Sequence, residues 1–186
     1  MRRVVSLYLP CWPTDRIRRK AGRPPEGDAA PLVTALPDHG RRVIAAVDEG
    51  ARRLGVKPGM TVTRARALAP DLEVVDADPD GDLEGLRRLA LWAGKRYSPI
   101  VSPDPPDGIW LDVTGCVHLF EGETPLLKDI LRRVLASQTA CQIAVADTAG
   151  CAHAVARFVP SGRPNIVAPG ATKAALSILP VSALRI

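Results

Sequence analysis

The 186-residue sequence has no run approaching the ~20 continuous apolar residues of a membrane-spanning helix. Its four cysteines, Cys11, Cys116, Cys141 and Cys151, form no C-x-x-C pair, which argues against a disulfide framework and for a reduced, cytoplasmic setting. Neither a P-loop nor a G-x-G-x-x-G stretch is present, so the common glycine-rich phosphate cradles are excluded. There is no internal repeat and no low-complexity tract. The opening MRRVVSLYLPCWP puts arginines before an apolar run, as a signal peptide would. That run breaks at Pro10, and a basic stretch follows instead of a cleavage site, so it reads as a buried first strand.

Hydrophobic residues make up 46% of the chain, enough for a packed core. The net charge of +5 is unevenly spread. Residues 1–23 carry seven Lys/Arg against one Asp, and residues 41–70 carry seven against Asp48 and Glu49. Residues 71–84 reverse the sign, with seven carboxylates and no cation. Such segregation favours a polyanionic partner, although 20 of the 25 cations are Arg, which also fits plain surface decoration.

Apolar patterning predicts a strand over Val4–Leu9 and a short basic helix, capped by Thr14, running to Lys20. A Pro/Gly-rich loop spans 21–31. Leu32–Leu36 and Arg42–Val47, joined by Pro37-Asp38-His39-Gly40, read as a hairpin. A compact turn at 55–60 precedes a helix over Thr63–Leu68, and a strand follows at Leu72–Val75. An acidic loop to Asp82 leads into a helix over Leu83–Tyr97. Strands at Ile100–Ser102 and Ile109–Val113 come next, then helix 124–137, strand 141–146 and helix 148–158. A helix, a Pro break and the start of another helix close the chain. The mixture makes the class α+β.

Cys116-x-His118 and Cys151-x-His153 resemble half-sites for zinc, but the spacing within each pair is too tight, and on a helix 151 and 153 diverge. The cysteines read better as small core residues. No glycine elbow or orienting motif supports a Cys-His nucleophile. Two-metal phosphoryl transfer needs two or three carboxylates on adjacent strands. Asp107 and Asp112 are the best pair, yet five residues apart on one strand they would face opposite ways, and the first strand carries none. No metal centre and no cofactor site can be assembled from these residues.

Several segments, in order, resemble the motifs of Y-family translesion DNA polymerases. Leu7-Tyr8-Leu9-Pro10-Cys11-Trp12-Pro13-Thr14-Asp15-Arg16 is similar to the family's D-x-D-x-F-F-A-S-V-E, with Tyr8 and Pro10 at the aspartate positions and Pro13 at the ribose-screening aromatic. Glu49-Gly50-Ala51-Arg52 and Gly55-Val56-Lys57-Pro58-Gly59-Met60 resemble the fingers signature Y-E-A-R…G-V-x-x-G-M, with Glu49 at the tyrosine. Ala65-Arg66-Ala67-Leu68-Ala69-Pro70-Asp71-Leu72 is similar to A-x-x-L-C-P-x-L. Tyr97-Ser98-Pro99 and Pro106-Asp107-Gly108-Ile109-Trp110-Leu111-Asp112-Val113-Thr114 resemble the second catalytic motif, with its Asp-Glu pair as Asp107-Gly108. Ala146-Asp147-Thr148-Ala149 stands where the family carries a phosphate-touching Asn-Lys.

The departures themselves match a catalytically inactive branch of that family. The resemblance implies palm over 1–47, fingers over 48–80, palm again over 81–168, and the start of a thumb over 169–186. It implies no polymerase activity, only Asp107 being retained of the carboxylate set. The implied role is a non-catalytic adaptor of error-prone translesion synthesis; an active polymerase with substituted ligands and a pure interaction module are the alternatives. Implied partners are DNA, held weakly and non-specifically, an error-prone C-family polymerase, a RecA-like mutagenesis protein, and a sliding clamp through a region absent from this sequence. The chain thus reads as a fragment. Candidate phosphate contacts are Arg52, Arg53, Lys57, Arg64 and Arg66. His118-Leu119-Phe120 reads as core or turn.

Overall fold

The computed structural model describes residues 2–22 and 29–183; most of the loop expected at 21–31 lies outside the described residues. The chain forms two compact units. One comprises Met1–Pro10, Leu83–Ser137 and Cys141–Ile186, the other Cys11–Asp82 and Gln138–Ala140.

The first unit is built on a five-stranded sheet. β1 (Val4–Tyr8) lies at its centre, between β6 (Gly108–Asp112) and β7 (Gln142–Ala146), antiparallel to both. β5 (Val101–Asp104) extends the sheet beyond β6, and β8 (Asn165–Ile166) beyond β7. β1 is apolar almost throughout because both of its faces are covered. Val5 and Leu7 pair in register with Leu111 and Ile109 on one side and with Val145 and Ile143 on the other, all buried. α5 (Glu123–Ala136) buries Leu126, Leu127, Ile130 and Val134, a 3–4 spacing that forms one helical stripe, and packs on β7. α6 (Ala149–Phe158) lies against β1 and β7. Its Cys151, Ala152, Val155 and Ala156 meet Ala144 and Ala146, small residues on both sides that let helix and sheet approach closely.

α4 (Pro79–Arg96) begins four residues before the position expected from the sequence. Asp80 and Asp82 therefore occupy its first turn, where the helix dipole favours carboxylates, rather than a loop. A short 3-10 helix over Val117–Phe120 contains His118-Leu119-Phe120, and Leu119 is exposed. α7 (Thr172–Ser177) follows β8.

In the second unit, β2 (Leu32–Asp38) and β3 (Arg41–Val47) form the expected hairpin. His39 and Gly40 both take positive φ, which the tight reversal requires and which Gly accepts without steric cost. β4 (Glu73–Asp76) adds parallel to β2. α2 (Glu49–Arg53) starts at Asp48, whose carboxylate accepts from the Ala51 amide at 2.7 Å. Thr61 caps α3 (Val62–Leu68) in the same way, through the Arg64 amide. Val33, Ile44, Val47, Val56, Ala65 and Leu72 close the core. α1 (Trp12–Lys20) starts two residues before Thr14. Cys11 holds the cap position and Pro13 the first turn, where its fixed φ is already helical. Thr14 instead donates its hydroxyl to the Cys11 carbonyl.

Candidate functional site

Tyr8 ends β1, Gly108 begins β6 and Asp104 ends β5. Tyr8 pairs with Gly108, and Gly108 with Asp104, so the three stand in one row across the sheet. Asp107 immediately precedes β6, and its carbonyl accepts from the Leu9 amide at 2.8 Å. Tyr8 and Gly108, two of the positions that resemble carboxylate positions of the polymerase motifs, stand here side by side, with the buried Asp104 next in the row.

α6 delivers a cation to that row. Arg157, near its C-terminal end, donates from Nη2 to Asp107 Oδ1 at 2.6 Å and reaches Asp104 Oδ2 at 3.4 Å. The guanidinium carbon lies 4.6 Å from the centre of the Tyr8 ring, within stacking range. His153, one turn earlier on the helix, approaches Asp104 Oδ2 at 3.8 Å. The side chains are well covered: Asp104 is 3% exposed and Arg157 13%. Gly108 has no room for a side chain. A Cβ there would sit 2.8 Å from the Leu7 carbonyl oxygen and 3.3 Å from Arg157 Nη2. Since the nearer atom is backbone, any larger residue displaces a strand.

The other end of the sheet is equally committed. Asp112 pairs with Arg2 at 3.2 Å and accepts from the Thr114 amide, far along β6 from Asp107. Arg3 is 7% exposed and donates twice to Glu123, at 2.5 and 2.8 Å, once to Asp147 at 2.8 Å and once to the Val167 carbonyl. Asp147 also accepts from the Gly170 amide; that bond, then Arg3, holds its carboxyl below the usual carboxylate range. The stretch that matches the family's phosphate-touching Asn-Lys thus serves as an internal tie between β1, β7 and the chain after β8.

The cysteine–histidine pairs do not converge. Cys151 packs in the apolar layer under α6 while His153 faces Asp104, and Cys116 precedes the 3-10 helix that exposes His118. All four cysteines are free thiols. Among the described residues, no group of three or more His, Cys, Asp or Glu is placed to hold a metal ion.

The five candidate phosphate contacts all belong to the second unit. Arg52 and Arg53 share Glu49, at 3.1 and 3.6 Å, with 41% and 65% of their side chains exposed. Lys57 lies in the turn before α3; Arg64 and Arg66 lie on α3, and all three are exposed. Among the described residues these last three make no ion pair. Being two apart on a helix, Arg64 and Arg66 project about 200° apart. The acidic run is engaged elsewhere: Asp76 pairs with Arg42, while Asp78 and Asp82 hold Arg16 at 2.8 and 2.6 Å.

Asp104 and Arg157 are not among the site residues named from the sequence, where His153 enters only as half of a zinc pair with Cys151. The available signal was compositional: Arg157 is the single Lys/Arg on a helix that, apart from His153, is made of small and apolar residues, and such a cation must find a partner.

Residues 23–157 match the model of the impB/mucB/samB family, and the chain belongs to that family. It is 43% identical to Protein ImuB of Caulobacter vibrioides (strain NA1000 / CB15N) over 133 residues, 72% of this chain and 28% of that protein. It is 27% identical to DNA polymerase IV of Shewanella baltica (strain OS195) over 142 residues, 75% of this chain and 37% of that one. Its fold matches the post-insertion binary complex of Dbh DNA polymerase with a TM-score of 0.83 at 20% identity, covering 98% of this chain and 53% of that structure. The α+β fold is therefore that of Y-family palm and fingers, and the chain spans about a third of the length of its curated relatives.

Proposed function

We propose that this chain is the palm and fingers portion of a non-catalytic, polymerase-like adaptor in error-prone translesion DNA synthesis. In this reading residues 1–47 and 81–168 are the palm, 48–80 the fingers, and 169–186 the start of a thumb. The observation that carries the reading is the row Tyr8, Gly108, Asp104 with Arg157 laid across it. Tyr8 and Gly108, two of the positions that match the family's metal-binding carboxylates, carry no carboxylate, and at Gly108 the backbone leaves no space for one. Tyr8 is itself packed into the apolar layer under α6. Losing one charge-stabilising group typically costs on the order of 10²–10³ in rate, so losing two leaves no useful chemistry.

The partners proposed with this role are an error-prone C-family polymerase, a RecA-like mutagenesis protein, a sliding clamp and the DNA they act on. Resemblance to the family supports them; the exposed Lys57, Arg64 and Arg66 support the DNA contact. Primer extension tests the reading. With Mg²⁺ or Mn²⁺, protein free of contaminating polymerase is expected to add no nucleotide. Templated incorporation above the buffer control would restore the active-polymerase alternative.

A further inference from the structure

The palm row has the shape of a cation site, and it is already filled. Two carboxylates from the β5–β6 connection, Asp104 and Asp107, converge on one point, and the Tyr8 ring presents its face to the same point. A buried carboxylate such as Asp104 demands a positive partner, because an uncompensated charge away from water is costly. In a metal-dependent site that partner is an exchangeable divalent ion. Here it is covalently part of the chain.

We propose that Arg157 is a resident cation: its guanidinium occupies the position between Asp104 and Asp107 and makes the palm independent of, and closed to, divalent metal. Three features fit a guanidinium better than an ion. Its Nη2 lies 2.6 and 3.4 Å from the two carboxylates, hydrogen-bonding rather than coordination distances. Its guanidinium carbon lies 4.6 Å over the centre of an aromatic ring, an apolar face that a hydrated ion would not choose. It also lies over Gly108, where a Cβ would come within 3.3 Å of Nη2, so the missing side chain is what makes room for it. Retention of Asp107 is then explained without metal chemistry, since it anchors the arginine. The inference concerns how this site holds together and does not require the adaptor role.

The experiment is a set of thermal melts, with Mn²⁺ uptake followed by electron paramagnetic resonance. In millimolar MnCl₂ or in chelator, the parent chain is expected to melt within about a degree of the same temperature and to retain no stoichiometric Mn²⁺. Arg157→Met, which keeps the aliphatic stem and removes the charge, is expected to melt roughly 5–10 °C lower. Adding Asp104→Asn to Arg157→Met should recover part of that loss, because the orphaned charge is gone. Should Arg157→Met fail to fold, the double variant and the parent's metal response still decide. Retention of about one Mn²⁺ per parent chain, lost in Asp107→Asn, would overturn the proposal. So would strictly additive losses in the double variant, which would mean that the guanidinium and the carboxylates do not interact.

Discussion

Two sets of cations in this chain are placed in opposite ways, Arg3 and Arg157 in the first unit and Lys57, Arg64 and Arg66 in the second. In the first unit, Arg3 and Arg157 are well covered and paired with carboxylates of the same unit. In the second, Lys57, Arg64 and Arg66 stay in solvent without an ion pair among the described residues. Both sets look alike as sequence. What separates them is whether the backbone brings carboxylates within reach.

The sharpest test of the contrast is Arg3→Ala. It removes a twofold contact with Glu123, a bond to Asp147 and a bond to a buried carbonyl. Because the two carboxylates left behind are partly exposed, the expected loss is about 2–4 kcal/mol, below the full penalty for breaking a buried pair. Chemical denaturation monitored by circular dichroism measures it. A loss under about 1 kcal/mol would mean that the first unit's internal pairing is ornamental, and the comparison between units would lose its footing.

A smaller effect is expected at Asp15, whose carboxyl burial pushes up to about 6 despite the Ala140 amide donated to it. The folded state then holds this proton more tightly than the unfolded chain. Stability attributable to Asp15 therefore falls as pH rises from about 4 to about 6. Asp15→Asn keeps an oxygen for the Ala140 amide and carries no charge. It should raise stability near neutral pH by about 1–2 kcal/mol and change little at about pH 4. An equal effect at both pH values would show that the carboxyl is not desolvated.

Much of this was legible before the structure. The hairpin announced itself through Pro37-Asp38-His39-Gly40 because turn chemistry is local, and the central strand through an apolar run broken at Pro10. α2 was missed because five residues hold less than two turns of periodicity. The acidic first turn of α4 read as loop because charge density masks helical pattern. The basic start of the chain also misled as a polyanion surface: Arg16 is held by Asp78 and Asp82, Arg18 by Asp48 at 2.5 Å, and Arg19 lies over Trp12. Net charge counts residues but not distances. The motifs drew attention to Tyr8 and Gly108 but not to Arg157, which sits 50 residues from Asp107 and meets it only through the fold.

The smallest expected effect, with none on stability, tests the exposed side of the comparison. Any DNA affinity of this chain should be weak, independent of sequence and carried by the second unit's cations. The Glu49 pairs do not withhold Arg52 and Arg53, because exposed ion pairs contribute only about 0–1 kcal/mol. Neither does the acidic run compete for Lys57, Arg64 or Arg66, which have no ion pair among the described residues. Yet Arg64 and Arg66 diverge around α3, so one backbone cannot meet both, and roughly three phosphates is the most this surface neutralises. The logarithm of affinity should then fall with the logarithm of salt at a slope of about −2 to −3. In Lys57→Ala/Arg64→Ala/Arg66→Ala the slope should lose about 1–2, with the melting temperature unmoved because none of these side chains makes an ion pair. A salt titration of fluorescent DNA measures both slopes. If the triple variant binds as the parent does, Lys57, Arg64 and Arg66 do not touch DNA and are surface decoration; if Arg52→Ala/Arg53→Ala added to it also changes nothing, the interaction-module reading takes over.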